Sequence, residues 1–198
     1  MSHYPRPKRR LRKPLLIFVV EGQQNNTERL YFDHFRTPDC PYAISIETCH
    51  NTDIEGMLNF GLSTVGCEGK TGSRLFIIAD LDASKEKQEK IAELQKKNPQ
   101  VRFIISEPCF EVWFLLHYQK SLCGITNSDD AMKKLKKHLP NYEKNKSVFS
   151  LDKDFEKLDE NAIKNSKQVL AKRKNVVESG CPATAVHQVV ELLLKKEK

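Results

Sequence analysis

"LFIIADLDAS", Leu75 to Ser84, runs four apolar residues and an alanine into two acids separated by a single residue. A run this short and this apolar, bounded by polar residues, reads as a strand buried on both faces, Leu75–Ala79. A carboxylate at the end of such a strand is costly unless something compensates it. The meaning of Asp80 and Asp82 therefore depends on whether other acids arrive at the same place.

Outward from this strand the pattern repeats. "LLIFVV" (Leu15–Val20) is a second buried strand and ends at Glu21-Gly22. "TERLYFDHFR" reads as a helix, with Thr27 as N-cap and Leu30, Tyr31, His34 and Phe35 at helical spacing. "YAISIET" (Tyr42–Thr48) alternates as a strand does, and "TDIEGMLNFGL" from Thr52 is the next helix. A charged helix Lys85–Lys97, the strand "VRFIIS" (Val101–Ser106) and the helix "FEVWFLLHYQ" from Phe110 follow. "GCEGKTG" (Gly66–Gly72) has the letters of a phosphate-binding loop, but it leads into a strand where such a loop opens a helix, so it reads as a connection.

This alternation predicts an α/β fold with a mainly parallel sheet flanked by helices. Past Cys123 the strand-like runs stop, and helices are expected over Asp129–Leu139, Asp154–Lys174 and Ala183–Lys196. The predicted organisation is a basic arm over 1–14, an α/β core over 15–125 and a C-terminal helical region over 126–198 packed on that core.

The bulk composition agrees with one compact unit: 198 residues, 39% hydrophobic and 30% charged. The longest apolar run is far too short to cross a membrane and lacks signal-peptide context, so a cytoplasmic protein with no membrane partner is expected. Six cysteines (40, 49, 67, 109, 123 and 181) form no C-x-x-C pair, which argues against a zinc knuckle or a redox motif. The net charge of +7 favours an anionic partner, nucleic acid above all. "RPKRRLRKP" (Arg6–Pro14) and "KKLKKHL" (Lys133–Leu139) concentrate that charge. Lys70, Arg74, Lys133, Lys134, Lys136 and Lys137 are candidate phosphate contacts, with solubility and helix pairing as the plainer readings of the same residues.

In an open parallel sheet, ligands gather at the carboxyl ends of the strands. Glu21 ends the first strand and Asp80 the third, and an extended backbone would point Asp80 and Asp82 the same way. If the first and third strands are neighbours, three carboxylates meet, and a divalent cation is the usual remedy for their repulsion. Oxygen ligands open to water suit Mg²⁺ or Mn²⁺. Gly22 would allow a close approach to the backbone. Glu111, in the first turn of the helix after the fourth strand, either faces the same crevice or complements the helix dipole. Trp113, Phe114, Leu116 and His117 read as core, and "NYEKNKSVF" (Asn141–Phe149) as either a mobile substrate loop or a linker.

"FVVEGQQNNTERLYF", "IIADLDAS", "SEPCFEVWFLLHY" and "CPATAVHQVVELL" together resemble successive motifs of the RloB-like family, from about Leu15 to the last helix. The resemblance implies a Toprim fold in which Glu21, Asp80 and Asp82 jointly bind Mg²⁺, with Glu21 as general acid/base. It further implies a nuclease of a bacterial antiphage system, often encoded beside an ABC- or SMC-like ATPase, with RNA such as transfer RNA among its substrates. A non-cutting module that binds nucleic acid or the ATPase is the alternative; nucleotidyl or phosphoryl transfer would use the same acids, and self-association is left open. Two features depart from the family pattern. Gln23–Asn26 lengthen the usual "EG-x-x-TE" turn, which leaves the placement of Glu28 open. Glu107 stands where an amide is common, as an extra surface acid or part of a modified metal shell. His187 and Thr184 belong to the last motif and are either structural or close to the site.

Overall fold

The structure is a computed structural model that describes residues 13–22, 26–50, 53–68 and 72–195. Four strands, β1 (Leu15–Glu21), β2 (Ala43–Cys49), β3 (Arg74–Asp80) and β4 (Val101–Glu107), form a parallel sheet in the order β2-β1-β3-β4. β1 and β3 are neighbours, with Val20 opposite Ile78. A two-residue strand, β5 (Ala183–Thr184), adds antiparallel to the β4 edge. The sheet is thus mixed α/β and mostly parallel, as the alternation predicts and consistent with a Toprim-like arrangement.

Each parallel crossover is made by a helix: α1 (Thr27–Asp33), α2 (Ile54–Glu68) and α3 (Lys85–Lys97). α4 (Glu111–Tyr118) follows β4, and then come α5 (Ser128–His138), the single turn α6 (Val148–Leu151), a 3-10 turn (Phe155–Leu158), α7 (Asp159–Ala171) and α8 (His187–Leu194). Pleat alternation divides the apolar residues between two cores. Leu16, Phe18, Val20, Phe76 and Ile78 face α1, α4 and the C-terminal helices, whereas Ile17, Val19, Ile77 and Ala79 face α2 and α3. Residues beyond 126, among them Leu135, Tyr142, Phe155 and Val189, belong to the first of these cores.

Local chemistry explains the element ends. α1 is capped by Asn26, not Thr27: its side-chain oxygen accepts the Arg29 N–H at 2.9 Å, and its amide donates back to the Glu21 carbonyl. Such a cap is worth about 1 kcal/mol and here ties the helix start to the end of β1. Ser84 caps α3 in the same way, on the Lys87 N–H at 3.1 Å. Gly61 lets α2 lie close on the sheet, since a Cβ there would meet Leu75 and Val19 side-chain carbons at 3.0 Å.

Three expectations change. α2 runs on to Glu68, so the first part of "GCEGKTG" is helix, while 69–71, Lys70 included, lie outside the described residues. The helix expected over Asp154–Lys174 divides into the 3-10 turn and α7. Ala183 and Thr184 are strand because β4 has a free edge there, and the last helix begins only at His187. Of the basic arm, residues 1–12 lie outside the described region. Among the described residues no helix is long and apolar enough to cross a membrane.

Candidate functional site

The carboxyl ends of β1, β3 and β4 and the first turns of α1, α3 and α4 come together at one edge of the sheet. The acids there form two groups rather than one, and strand parity is the reason. Glu21 continues the phase of Ile17 and Val19, so it points to the α3 side; Asp80 continues that of Phe76 and Ile78, so it points to α1 and α4.

In the first group, Lys87 of α3 lies between two carboxylates. Its Nζ is 3.8 Å from Glu21 Oε2 and 3.3 Å from Asp82 Oδ2. Partial burial raises the Glu21 pKa; Lys87 opposes this and Asp82 adds to it.

Asp82 does not continue the strand. It and Ala83 have φ of 54° and 56°, two successive left-handed residues without a glycine. This conformation costs roughly 1–2 kcal/mol per residue, and β4 holds it in place. Leu81 N–H donates to Ser106 O at 2.8 Å, Asp82 N–H to Pro108 O at 3.2 Å, and Ala83 N–H to Glu107 Oε2 at 3.0 Å. The expectation that Asp80 and Asp82 share a side by pleat fails, because the chain leaves the extended conformation between them. Glu107 is likewise no surface acid. It is 1% exposed, and its other oxygen accepts the Gly180 N–H at 3.1 Å, which ties the turn to the C-terminal loop. Burial raises its pKa against those two hydrogen bonds.

The second group is Asp80, Glu28 and Glu111. Glu111 is 1% exposed, so it faces the crevice and not solvent. Its Oε1 accepts from Tyr142 Oη at 3.2 Å and lies 3.4 Å from Thr27 Oγ1 and 3.8 Å from Lys144 Nζ. Its Oε2 is buried with no hydrogen-bond partner among the described residues. Leaving a buried acceptor unpaired costs about 1–3 kcal/mol. Burial pushes the Glu28 carboxyl up to about 7, with Glu111 and Glu21 adding and Lys144 opposing. Asp80 lies well above the carboxylate range through burial, reinforced by Glu28, Glu111 and Asp82. Lys144 stays above its usual value because Glu111 and its neighbours outweigh the effect of burial. Burial, then Glu111 and Asp80, push the Cys109 thiol up, which keeps it protonated and unsuited to act as nucleophile or soft ligand.

Among the described residues no three His, Cys, Asp or Glu side chains stand close enough to ligate one ion together. The carboxylates are therefore near one another electrostatically but are not gathered into one ligand sphere, as the reading of three converging acids expected. Thr27 and Lys87 join the site with nothing in the sequence to mark them for it; Glu28, whose placement the lengthened turn leaves open, joins it as well, as do Tyr142 and Lys144. Tyr142 and Lys144 come from "NYEKNKSVF", which is packed against α1 here: Tyr142 is 0% exposed and Thr27 Oγ1 lies 3.1 Å from the Lys144 carbonyl oxygen. Only the mixture of an aromatic with lysines marked that segment in the sequence.

The other candidates lie elsewhere. Arg74 begins β3, about 20 Å along the strand from Asp80, at the opposite edge of the sheet. Lys133, Lys136 and Lys137 are exposed on α5, whereas Lys134 is half-buried and bonds the Cys123 carbonyl. His117 is core, with Nε2 3.0 Å from Asp159 Oδ1. His187 Nδ1 lies 2.9 Å from Ser166 Oγ of α7, and Thr184 Oγ1 2.8 Å from Ser106 Oγ of β4, so both are packed structurally.

No curated protein and no solved structure matches the chain. A family model described as RloB-like protein matches residues 16–193, a span that includes every described residue of both acidic groups, and the chain belongs to that family.

Proposed function

We propose that this protein is a divalent-cation-dependent nuclease that cleaves phosphodiester bonds of nucleic acid, RNA such as transfer RNA among them, as an effector of antiphage defence switched on by a partner ATPase. The observation that carries this reading is buried Glu111, whose Oε2 has no hydrogen-bond partner among the described residues, beside an Asp80 whose pKa is raised by burial and then by Glu28, Glu111 and Asp82. A site of this kind fits a hard cation. All its donors are carboxylate oxygens, and Mg²⁺ keeps several waters and needs only one or two protein carboxylates together with substrate phosphate. The absence of a closed three-ligand cluster is therefore compatible with it. No more than two of these carboxylates would hold the ion at once, Asp80 and Asp82 foremost, with Glu21 acting on the proton and Glu28 and Glu111 backing the ion.

The ion would neutralise charge growing on the phosphodiester and lower the pKa of a bound water. Glu21 is half-buried and burial raises its pKa against the pull of Lys87, so Glu21 would be the group that takes a proton and returns it to the leaving oxygen. Tyr142 and Thr27 fix the Glu111 carboxylate from behind. Lys87, beside Glu21 and Asp82, compensates their charge until an ion or a phosphate enters.

The test is cleavage of a mixed RNA and DNA panel, total transfer RNA included, with Mg²⁺ or Mn²⁺ against EDTA, with and without the neighbouring ATPase. Metal-dependent cutting that disappears in an Asp80→Ala/Asp82→Ala double variant is expected. Cutting that survives in EDTA or in the double variant would remove the proposed site. Binding without cutting under every condition would favour a non-cutting module. A second expectation concerns Lys87. Lys87→Met should bind Mn²⁺ about tenfold more tightly by titration calorimetry, since removing one positive charge at this distance is worth ~1 kcal/mol or more. Unchanged or weaker binding would show that the ammonium does not compete with the ion.

A further inference from the structure

At the sheet edge opposite the carboxylates, β3, β4 and α8 enclose a cleft of 510 Å³ lined by Arg74, Phe76, Pro99, Gln100, Arg102, Gln188, Glu191, Leu192 and Lys195. Its charge is unbalanced. Arg74 and Arg102 lie on the same face of neighbouring strands, because Arg102 pairs with Phe76 and Arg74 is two residues before it. Their Cα atoms are thus about 8 Å apart.

Among the described residues neither guanidinium has a hydrogen-bond or ion-pair partner, and nor has Lys195. The one acid in the lining, Glu191, is already engaged by Lys167 of α7. Two cations side by side in a concavity, with no counter-charge, repel one another and focus a positive potential into it.

We propose that this cleft is a phosphate-binding exosite that holds the backbone of a nucleic-acid strand about 20 Å from the carboxylates. The occupant is a polyanion because three unpartnered cations line one cleft, and a strand that neutralises several of them at once gains from counterion release, which a single phosphate does not. The two side-chain amides, Gln100 and Gln188, add neutral donors suited to phosphate or sugar oxygens without reading sequence. The exosite supplies grip and the opposite edge supplies chemistry, so the proposal rests on the nucleic-acid reading of the carboxylate site.

The experiment is fluorescence anisotropy of a labelled single-stranded 20-mer RNA, and of the DNA of the same sequence, in EDTA over about 50 to 200 mM salt. It compares the wild type with Arg74→Gln/Arg102→Gln, with the charge-keeping Arg74→Lys/Arg102→Lys, and with Lys133→Gln/Lys136→Gln on α5. The Gln pair is expected to bind about tenfold more weakly or worse and to flatten the slope of log affinity against log salt by about 1.4, the loss of two phosphate contacts on a single strand. The Lys pair should keep most of both. Equal melting temperatures show that these exposed changes leave the fold intact.

Wild-type binding left unchanged in affinity and slope by the Gln pair overturns the exosite alone. The cleavage panel then still decides the nuclease. If the wild type binds neither strand but binds pyrophosphate, and the Gln pair does not, the cleft takes free phosphate and the nucleic-acid occupant is overturned. Binding of neither strand nor pyrophosphate by the wild type overturns the exosite altogether.

Discussion

An Asp80→Asn variant is expected to lose cleavage activity about 10³-fold and yet, in EDTA, to melt at a higher temperature than the wild type. The first effect is of the size seen when one group that stabilises transition-state charge is removed. The second follows from the surroundings of Asp80. Its carboxyl is desolvated, and Glu28, Glu111 and Asp82 all raise its pKa, so an ionised Asp80 is opposed by every nearby acid while only Lys144 favours it. An amide of the same size removes the charge and keeps hydrogen-bonding capacity. If Asp80 were merely a polar end to β3, the substitution would leave both quantities near the wild type. If it were a structural acid, the melting temperature would fall. Loss of activity combined with a gain in stability is the pattern of a group placed for function at the expense of the fold. Steady-state cleavage and thermal melts in EDTA decide it; retained activity, or a lower melting temperature, would remove Asp80 from the proposed centre.

The parts of this arrangement that sequence reading recovers are those set by short-range periodicity. The β3 run around Leu75–Ala79 and the β1 run Leu15–Val20 are apolar on both faces, so their burial and their acidic ends are legible. The adjacency of β1 and β3 is only permitted by the doubly wound order that such alternation suggests, and the structure supplies it. What escapes is set by parity and by contacts distant in sequence. Glu21 and Asp80 end their strands in opposite phase, and counting along each strand alone does not compare the two. The left-handed pair Asp82-Ala83 is fixed by β4 atoms some 24 positions away. Glu107 reads as a surface acid or part of a metal shell because nothing local says that a loop at Gly180 will cover it. Tyr142 meets Glu111 across 31 residues, through a segment with no periodic pattern. The end of α8 and the start of β3 line one cleft only because the last helix packs across the amino end of the strands, which separates Arg74 from the lysines of α5 named with it as phosphate contacts.

Without metal, the fold should be less stable at pH 8 than at pH 5 in its acid-dependent part, and Mg²⁺ should reverse that trend. The sign follows from Glu28. Its folded pKa, about 7, lies above its unfolded value of 4.5, so the native state binds the extra proton between those values. The stabilisation is fully present below about 4.5 and is lost as the pH rises through 7. Glu21, Glu107 and Asp80 are shifted in the same direction, so their contributions add. A cation that binds the ionised carboxylates has the opposite preference, because it competes with the protons and gains affinity as the pH rises. At a free concentration one hundred times its dissociation constant it would contribute about 2.7 kcal/mol. For a domain of this length that is roughly 5 to 10 °C of melting temperature. Glu28→Gln separates this from the general acid response of the protein: it should flatten the decline between pH 5 and 8 in EDTA and, if Glu28 backs the ion, reduce the Mg²⁺ shift at pH 8. Melts of both proteins across that range, with EDTA and with Mg²⁺, measure both quantities. An unchanged slope would mean that the charge on Glu28 is not suppressed by its neighbours. A variant with the flatter slope but the full Mg²⁺ shift would leave Glu28 as an electrostatic neighbour of the centre and confine the ion to Asp80 and Asp82.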